Sequence, residues 1–310
     1  MDQNTQHENE SIFFAPVKKD AAYYRREARA RLAGKWKIGY IVSLLALILG
    51  AVRMGFSFNV DTEDIDLLSS VSPELILSFL PLVIVIGSLS AVAALAFDLF
   101  VSGPTVVGYH QFHLAVIDQN EQDVAVPTLF SFFKKNYLKA VLLRLLNLLV
   151  SLVAMLPLLA AFVFAFIHVI VAYIGAPLIG DLLLPLLNSA IAILLGAIGS
   201  LALSVPVLYA FSAAPFIMAD YPEVSAVEAM RNSRHLMRGH KWKLFCLDLS
   251  FVGWILLGLL MLGIGIVFVL PYINTAHALF YDDISGRATA KETEFPSLDP
   301  NDYNPDTPSV

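Results

Sequence analysis

Two clusters of basic and aromatic residues carry the most distinctive chemistry in this chain. Arg26, Arg29, Lys35, Trp36 and Lys37 stand near the start, and Arg231, Arg234, Arg238, Lys241, Trp242 and Lys243 stand much later. Guanidinium and ammonium groups pair with phosphate, and an indole settles at the depth of lipid headgroups with its polar edge in water. Residues of these types in this order suit contact with anionic lipid, or with an acidic or phosphate-bearing partner. A second set matters because of where it falls. Asp98, Arg144, Asn147 and His168 interrupt long apolar runs, where ionisable groups are costly and can mark a pathway. Asp98 and Arg144 lie toward the same end of their runs, so each reaches water by snorkelling or the two pair with each other. His168 reads as a hydrogen-bonded core histidine or a proton relay. His110 and His113, at i and i+3, would share a metal only weakly with Asp118 as the nearest carboxylate, so no metal site is assigned.

No phosphate-binding GxxxxGK[ST], no GxGxxG after a strand, no HExxH and no GxSxG occurs. The clusters of Asp, His or Glu suited to acid-base work are also missing from the spacing. Catalytic and cofactor-binding residues, a cofactor and a nucleic-acid partner are therefore not expected.

The elements that must position these residues follow from composition. Of 310 residues, 57% are hydrophobic and 15% charged, against the usual ~45–50% and ~25% of soluble domains. That balance belongs in a bilayer. The single Cys246 allows neither an internal disulfide nor a cysteine-ligated zinc. A formal charge of −6 conceals a sorting of signs: residues 18–37 hold eight Lys/Arg, residues 59–74 hold five carboxylates and no base, and the tail is mostly acidic.

A helix needs about 20 apolar residues to cross about 30 Å of hydrocarbon. Runs of that kind cover Ile38–Phe58, Leu75–Val101, Leu138–Ile174 and Leu182–Ala219, the last two each read as one tilted or protruding helix. A fifth stretch, Leu244–Tyr281, contains Gly258, Gly263 and Gly265. Split there it is a hairpin, which makes six spans. Left whole, it is one span followed by an interfacial piece carrying Asn274 and His277, which makes five. Basic residues flanking a span stay on the cytoplasmic side. That rule places residues 18–37, Lys134/Lys135/Lys139 and Arg231 to Lys243 inside, with the N terminus cytosolic. A sequence echo favours six. Arg26, Arg29, Leu32, Gly34 and Lys35-Trp36-Lys37 are matched, one residue offset, by Arg231, Arg234, Leu236, Gly239 and Lys241-Trp242-Lys243, with a looser version at Phe132–Lys139. Three units, each a cytosolic amphipathic segment followed by a hairpin, would bring the C terminus back to the cytosol.

Two cytosolic helices are predicted. Over 20–33, Asp20 is the N-cap and Tyr24, Ala28 and Leu32 form one stripe, with Arg25, Arg26, Arg29 and Arg31 around the rest. Over 221–238, Asp220 and Glu223 form a capping box, Pro222 falls in the first turn and Gly239 is the stop. Val224, Val227, Met230 and Met237 line one face and Arg231, Arg234 and Arg238 another, as in a helix lying under an anionic leaflet. The arginines serve there as a topology anchor or as a docking surface. Pro81, Pro157, Pro185, Pro206 and Pro215 fall inside spans as candidate kinks, and Gly87/Ala91 and Gly196/Ser200 read as close helix contacts.

Several landmarks together resemble a bacterial family of integral membrane proteins known as domain of unknown function 975. They are Arg29-x-x-Leu32-x-Gly34-Lys35-Trp36, Pro215-Phe216-Ile217-Met218-Ala219-Asp220, and the run Ser233–Lys241. Further on come Leu249–Trp254, Gly263-Ile264-Gly265, Pro271-Tyr272 and Phe280-Tyr281. The resemblance spans roughly 22–284 and implies a bacterial plasma-membrane protein with no assigned activity. The same landmarks are similar to the membrane portion of some glycerophosphodiester phosphodiesterases, which implies lipid-related work.

The expectation is thus an all-α, polytopic transmembrane helical bundle. It comprises a disordered cytosolic lead over 1–19, a helical membrane domain over 20–284 and a disordered acidic tail over 285–310. Its expected role is a non-enzymatic accessory or scaffold whose basic face contacts membrane lipids, anionic on the cytosolic side, or a protein partner. The alternative is a transporter or channel subunit with a polar path through kinked spans two to four. A third reading is a membrane-embedded lipid-handling enzyme.

Overall fold

The structure, a computed structural model, describes residues 19–52, 73–118, 124–175, 183–261 and 264–287. Among them every regular element is helical. Helix α1 (Ala21–Arg31) starts where Asp20 Oδ1 accepts from the Tyr23 N–H at 2.8 Å, and its Tyr24 and Ala28, with Leu32 beyond, are buried as their spacing requires. Gly34, at φ +78°, turns the chain into α2 (Trp36–Ile48).

Here the expected first span is corrected. Helix α2 has 13 residues, about 20 Å at 1.5 Å per residue, short of the about 30 Å of hydrocarbon. It stops because Gly50 takes φ +71° and the freed Leu49 carbonyl accepts from Ser102 Oγ at 2.8 Å. Residues 53–58 of that expected span lie outside the described residues, as does the acidic stretch up to residue 72.

Helix α3 (Pro73–Phe97) runs through a wider π-type turn, Asp98–Ser102, into α4 (Gly103–Asp118). The expected second span ends at Val101, and α4 beyond it is the centre of the packed core, with Val107, Tyr109, Phe112 and Val116 buried on different sides of it. At Gly108 a Cβ would meet the Leu129 carbonyl oxygen at 2.2 Å, so only glycine lets the short 3₁₀ turn Val126–Phe130 lie against α4. Helix α5 (Ser131–Lys134) follows, and Asn136, at φ +60°, leads into α6.

Helix α6 (Tyr137–Gly175) is unbroken over 39 residues, and α7 (Leu183–Phe211) over 29. They pack closely where expected. A Cβ at Gly196 would stand 2.3 Å from Ala161 Cβ, and the Leu158 N–H, next to Pro157, donates to Ser200 Oγ at 2.9 Å. The partner helix thus makes good a donor that the proline's disruption of the ladder releases. The matching expectation at Gly87/Ala91 is corrected: Gly87 has nothing within 4 Å of its Cβ position. Pro81, Pro157 and Pro206 lie inside helices, whereas Pro185 falls in the first turn of α7 and Pro215 in that of α8 (Ala214–Asp220).

Helix α9 (Ala226–Leu236) starts later than predicted. Its N-cap is Ser225, whose hydroxyl accepts from the Glu228 N–H, while Asp220 closes α8 instead of opening α9. The capping pattern was real but sat five residues downstream, at Ser225-x-x-Glu228. The buried stripe is Ala226, Ala229, Met230 and Ser233, ending at Met237, and Val227 faces outward. Gly239, at φ +79°, leads into α10 (Lys241–Leu249), then α11 (Val252–Leu260) and α12 (Ile264–Ser285). The fifth apolar stretch is therefore divided, and α11 and α12 pack together where Gly258 passes Gly265.

At the N-terminal edge of the described residues Lys19 pairs with Asp283. Ser285 belongs to α12, and Arg287, placed in the tail, is held by three carboxylates.

The molecule has two zones. Among the described residues four helical stretches are long and apolar enough to cross a membrane, 81–118, 137–172, 184–220 and 241–260. Along α3 and much of α6 and α7, large apolar side chains such as Leu89, Val171 and Leu195 are exposed. Contiguous apolar surface of that extent is stable only against lipid or another protein. The second zone is a dense core that gathers α1, α2, α4, α8, α9, α10, α12 and the near ends of α6 and α7.

Candidate functional site

Helix α12 carries the polar groups that organise this core, and each reaches a different neighbour. Asn274 Nδ2 donates to the Tyr109 hydroxyl at 3.3 Å, and Tyr109 shares a 2.9 Å hydrogen bond with Ser43 of α2. Thr275 Oγ1 meets His113 Nδ1 at 3.0 Å. His277 Nε2 lies 2.6 Å from Asp248 Oδ1 of α10, whose other oxygen accepts from the Tyr209 hydroxyl of α7 at 2.5 Å. An ionised carboxylate only accepts, so His277 Nε2 carries a hydrogen. Tyr281 donates to Asp220 at 3.2 Å, and Asp283 accepts from Tyr24 of α1 at 2.6 Å.

Asp248 and His277 border a cavity of about 230 Å³ together with Tyr209, Ser212, Phe216 and Met237. Sequence spacing showed no acid-base cluster, yet folding assembles one from residues 29 positions apart. Geometrically, a histidine oriented by a carboxylate can take and return a proton. The same bonds clamp α7, α10 and α12 together.

At the end of the core, Arg287 is the hub. Its guanidinium reaches Asp118 and Asp220 at 2.9 Å each and Asp282 at 3.2 Å. Burial alone would lower its pKa, but Asp220 and Asp118 outweigh burial and raise it above its ordinary value. At Asp283, burial pushes the carboxyl up, whereas hydrogen bonds from Lys19 and Tyr24 prevail and hold it below its ordinary value. Tyr24 is pushed up by burial and by that same carboxylate.

The polar residues expected within the apolar runs separate. Asp98 and Arg144 pair bidentately, Nη2 to Oδ1 at 2.6 Å and Nε to Oδ2 at 3.1 Å, with only 9% of the Asp98 side chain exposed. Asn147 donates to the Leu143 carbonyl of its own helix. His168 is 24 positions beyond Arg144 (168 − 144), about 36 Å along the helix. It stacks on Phe164 and lies 3.4 Å from Ser189 Oγ. The four residues therefore do not adjoin.

Among the basic residues, Arg26, Arg29, Lys37, Arg231, Arg234, Arg238, Trp242 and Lys243 are exposed, and Lys35, Trp36 and Lys241 are half-buried. Contacts tie the basic segments together. Arg25 donates to the Ser250 carbonyl after α10, and Lys139 donates to the Pro222 and Glu223 carbonyls before α9. His110 and His113 are buried, with His110 Nδ1 and His113 Nε2 unpartnered among the described residues. Asp118 turns to Arg287, and no three His, Cys, Asp or Glu side chains among the described residues are grouped to hold a metal.

An all-helical fold with bare apolar helices of spanning length and a basic, polar-cored end defines a membrane-type helical protein. A family model described as "Protein of unknown function (DUF975)" matches residues 19–288, and the chain belongs to that family. The matched segment coincides with the packed body, from the Lys19 ion pair to the Arg287 hub. No curated protein and no solved structure matches the chain.

Proposed function

We propose that this is a multi-pass protein of the bacterial plasma membrane that acts as a non-enzymatic scaffold, its basic cytosolic face holding anionic lipid or a protein partner. The observation that carries the reading is α9. Ala226, Ala229, Met230 and Ser233 fasten it to the core, while Arg231 and Arg234 on it and Arg238 just beyond it stand exposed, with no carboxylate partner among the described residues. The half-buried cations Arg144 and Arg287, by contrast, are paired. A helix fixed on one face and cationic on the other is suited to an anionic surface.

Six passages with both termini cytosolic fit the same plan, the first of them begun by α2, whose 13 residues cover only part of the hydrocarbon. The chain leaves the packed end along α2, α6 and α10–α11 and returns along α3, α7 and α12. Each departure follows a left-handed residue, Gly34, Asn136 or Gly239. Each return ends in an aspartate, Asp118, Asp220 or Asp282, on one arginine. Both regularities support three repeated units. The polar-path reading is less well served, because Asn147 is bonded within its own helix and His168 lies far from the Asp98–Arg144 pair. The Tyr209–Asp248–His277 group favours the lipid-handling enzyme as the second reading.

Replacing Arg231, Arg234 and Arg238 together with Gln tests the scaffold reading. Loss of co-purifying anionic lipid or of a bound protein, with insertion and orientation unchanged, is the expected result. Unchanged lipid and protein content would overturn it.

A further inference from the structure

Between α2 and the α11–α12 pair lies a groove of about 510 Å³, within the range of about 300–1,000 Å³ of ordinary ligand sites. Its existence follows from small residues. A Cβ at Gly258 would lie 2.9 Å from the Ile266 nitrogen, and one at Gly265 2.8 Å from the Gly258 Cα, so two backbones touch there and no side chain fills the space beside them. The long walls are apolar, formed by Leu257 on α11 and Met261 at its end and by Phe268 and Val269 on α12. Leu257, Met261 and Phe268 are more than half exposed, so the groove opens sideways on the surface where lipid would lie.

One end is different. Trp36 packs on Tyr40 at 5.6 Å, Trp254 meets Tyr272 edge-on at 6.3 Å, and the Arg29 guanidinium stands 6.0 Å from the Tyr272 ring. Arg29 is exposed and has no carboxylate partner among the described residues. A cation and four amphipathic rings at one end, with a hydrocarbon wall beyond, reproduce the order of groups along a phospholipid.

We propose that the groove holds one anionic phospholipid of the cytosolic leaflet, with an acyl chain between α2 and α11–α12 and its phosphate on Arg29. This rests on the reading that the basic end faces the cytosol, and it adds a defined seat separate from the arginines of α9.

The test uses the full chain purified in mild detergent, with bound lipid identified by native mass spectrometry. It compares Arg29→Gln, Val269→Trp and the Arg231/Arg234/Arg238→Gln triple variant. Wild type should retain an anionic phospholipid. Arg29→Gln should weaken that retention about tenfold, a loss of one charge-assisted contact, and Val269→Trp should expel the lipid whatever its headgroup. The triple variant should keep this one lipid while losing the other anionic lipid or protein that co-purifies. If Val269→Trp and Arg29→Gln both retain lipid as wild type does, the groove is not the seat. If only the triple variant loses it, the basic-face reading stands and the groove proposal fails. A second measurement needs no variant. Wild type in nanodiscs containing a phosphatidylglycerol with a diazirine acyl chain should crosslink at Met261, Phe268 or Val269, and labelling confined to α3, α6 and α7 would overturn the proposal.

Discussion

Asp118 and Asp220, the last residues of α4 and α8, close on one guanidinium, each 2.9 Å from Arg287. Two helices that return separately to the packed end are thereby joined to a residue just beyond α12, and Asp282 adds a third carboxylate. Such a cluster is stable only while its cation is present, because three neighbouring carboxylates repel one another and each loses hydration on burial.

Arg287→Gln should therefore destabilise the protein by roughly 3 kcal/mol, the cost of removing one partner of a buried pair. Thermal unfolding in detergent measures it. Asp220→Asn placed on top of Arg287→Gln should recover part of the loss by relieving repulsion, and no recovery would mean the carboxylates do not interact.

The Asp98–Arg144 pair joins the turn after α3 to α6. Asp98→Asn and Arg144→Gln should each cost about 3 kcal/mol, and the double variant should cost much less than their sum. Additive losses in a double-mutant cycle would show that each residue acts alone.

Gly196→Val places new atoms where a Cβ already stands 2.3 Å from Ala161. The expected cost is about 1–3 kcal/mol, with α6 and α7 separating locally. Ala161→Gly in the same chain should recover part of the loss, read by unfolding in detergent, because the Pro157 carbonyl oxygen still stands 3.0 Å from that Cβ position.

Asp283 sits below its ordinary 3.8, since the Lys19 and Tyr24 hydrogen bonds overcome burial. A carboxyl whose folded value is depressed contributes stability that is complete above the unfolded value and is lost as pH falls through the folded one. The stability of wild type should fall as pH drops below about 4, whereas Asp283→Asn should be less stable near neutrality and lack that component of the fall. Parallel pH curves for the two would remove the ion pair from the account.

Much of the fold was readable because its signals are local. Asp20 before the Tyr24/Ala28/Leu32 stripe gave α1, apolar length gave α6 and α7, and Gly258 with Gly265 gave the break between α11 and α12. Helix α2 was overestimated because apolar character continues past Ile48, while the stop depends on Gly50 and on Ser102, which is distant in sequence. The start of α9 was missed because two capping patterns lie five residues apart and only Ser225 has the extended backbone of a cap. The Asp248–His277 pair and the Arg287 hub depend on which helices become neighbours, and polarity within a single run carries no record of that. The one available hint was that Asn274, Thr275, His277 and Tyr281 recur along an otherwise apolar helix.

The side of the membrane on which Arg234 stands bears on everything above. Cys246 is the one cysteine in the sequence, so Cys246→Ala with Arg234→Cys supplies a single reporter thiol on the exposed face of α9. An impermeant maleimide added to intact cells should leave it unlabelled, and should label it once the membrane is opened. Labelling of intact cells would put the basic face outside and contradict the proposed topology.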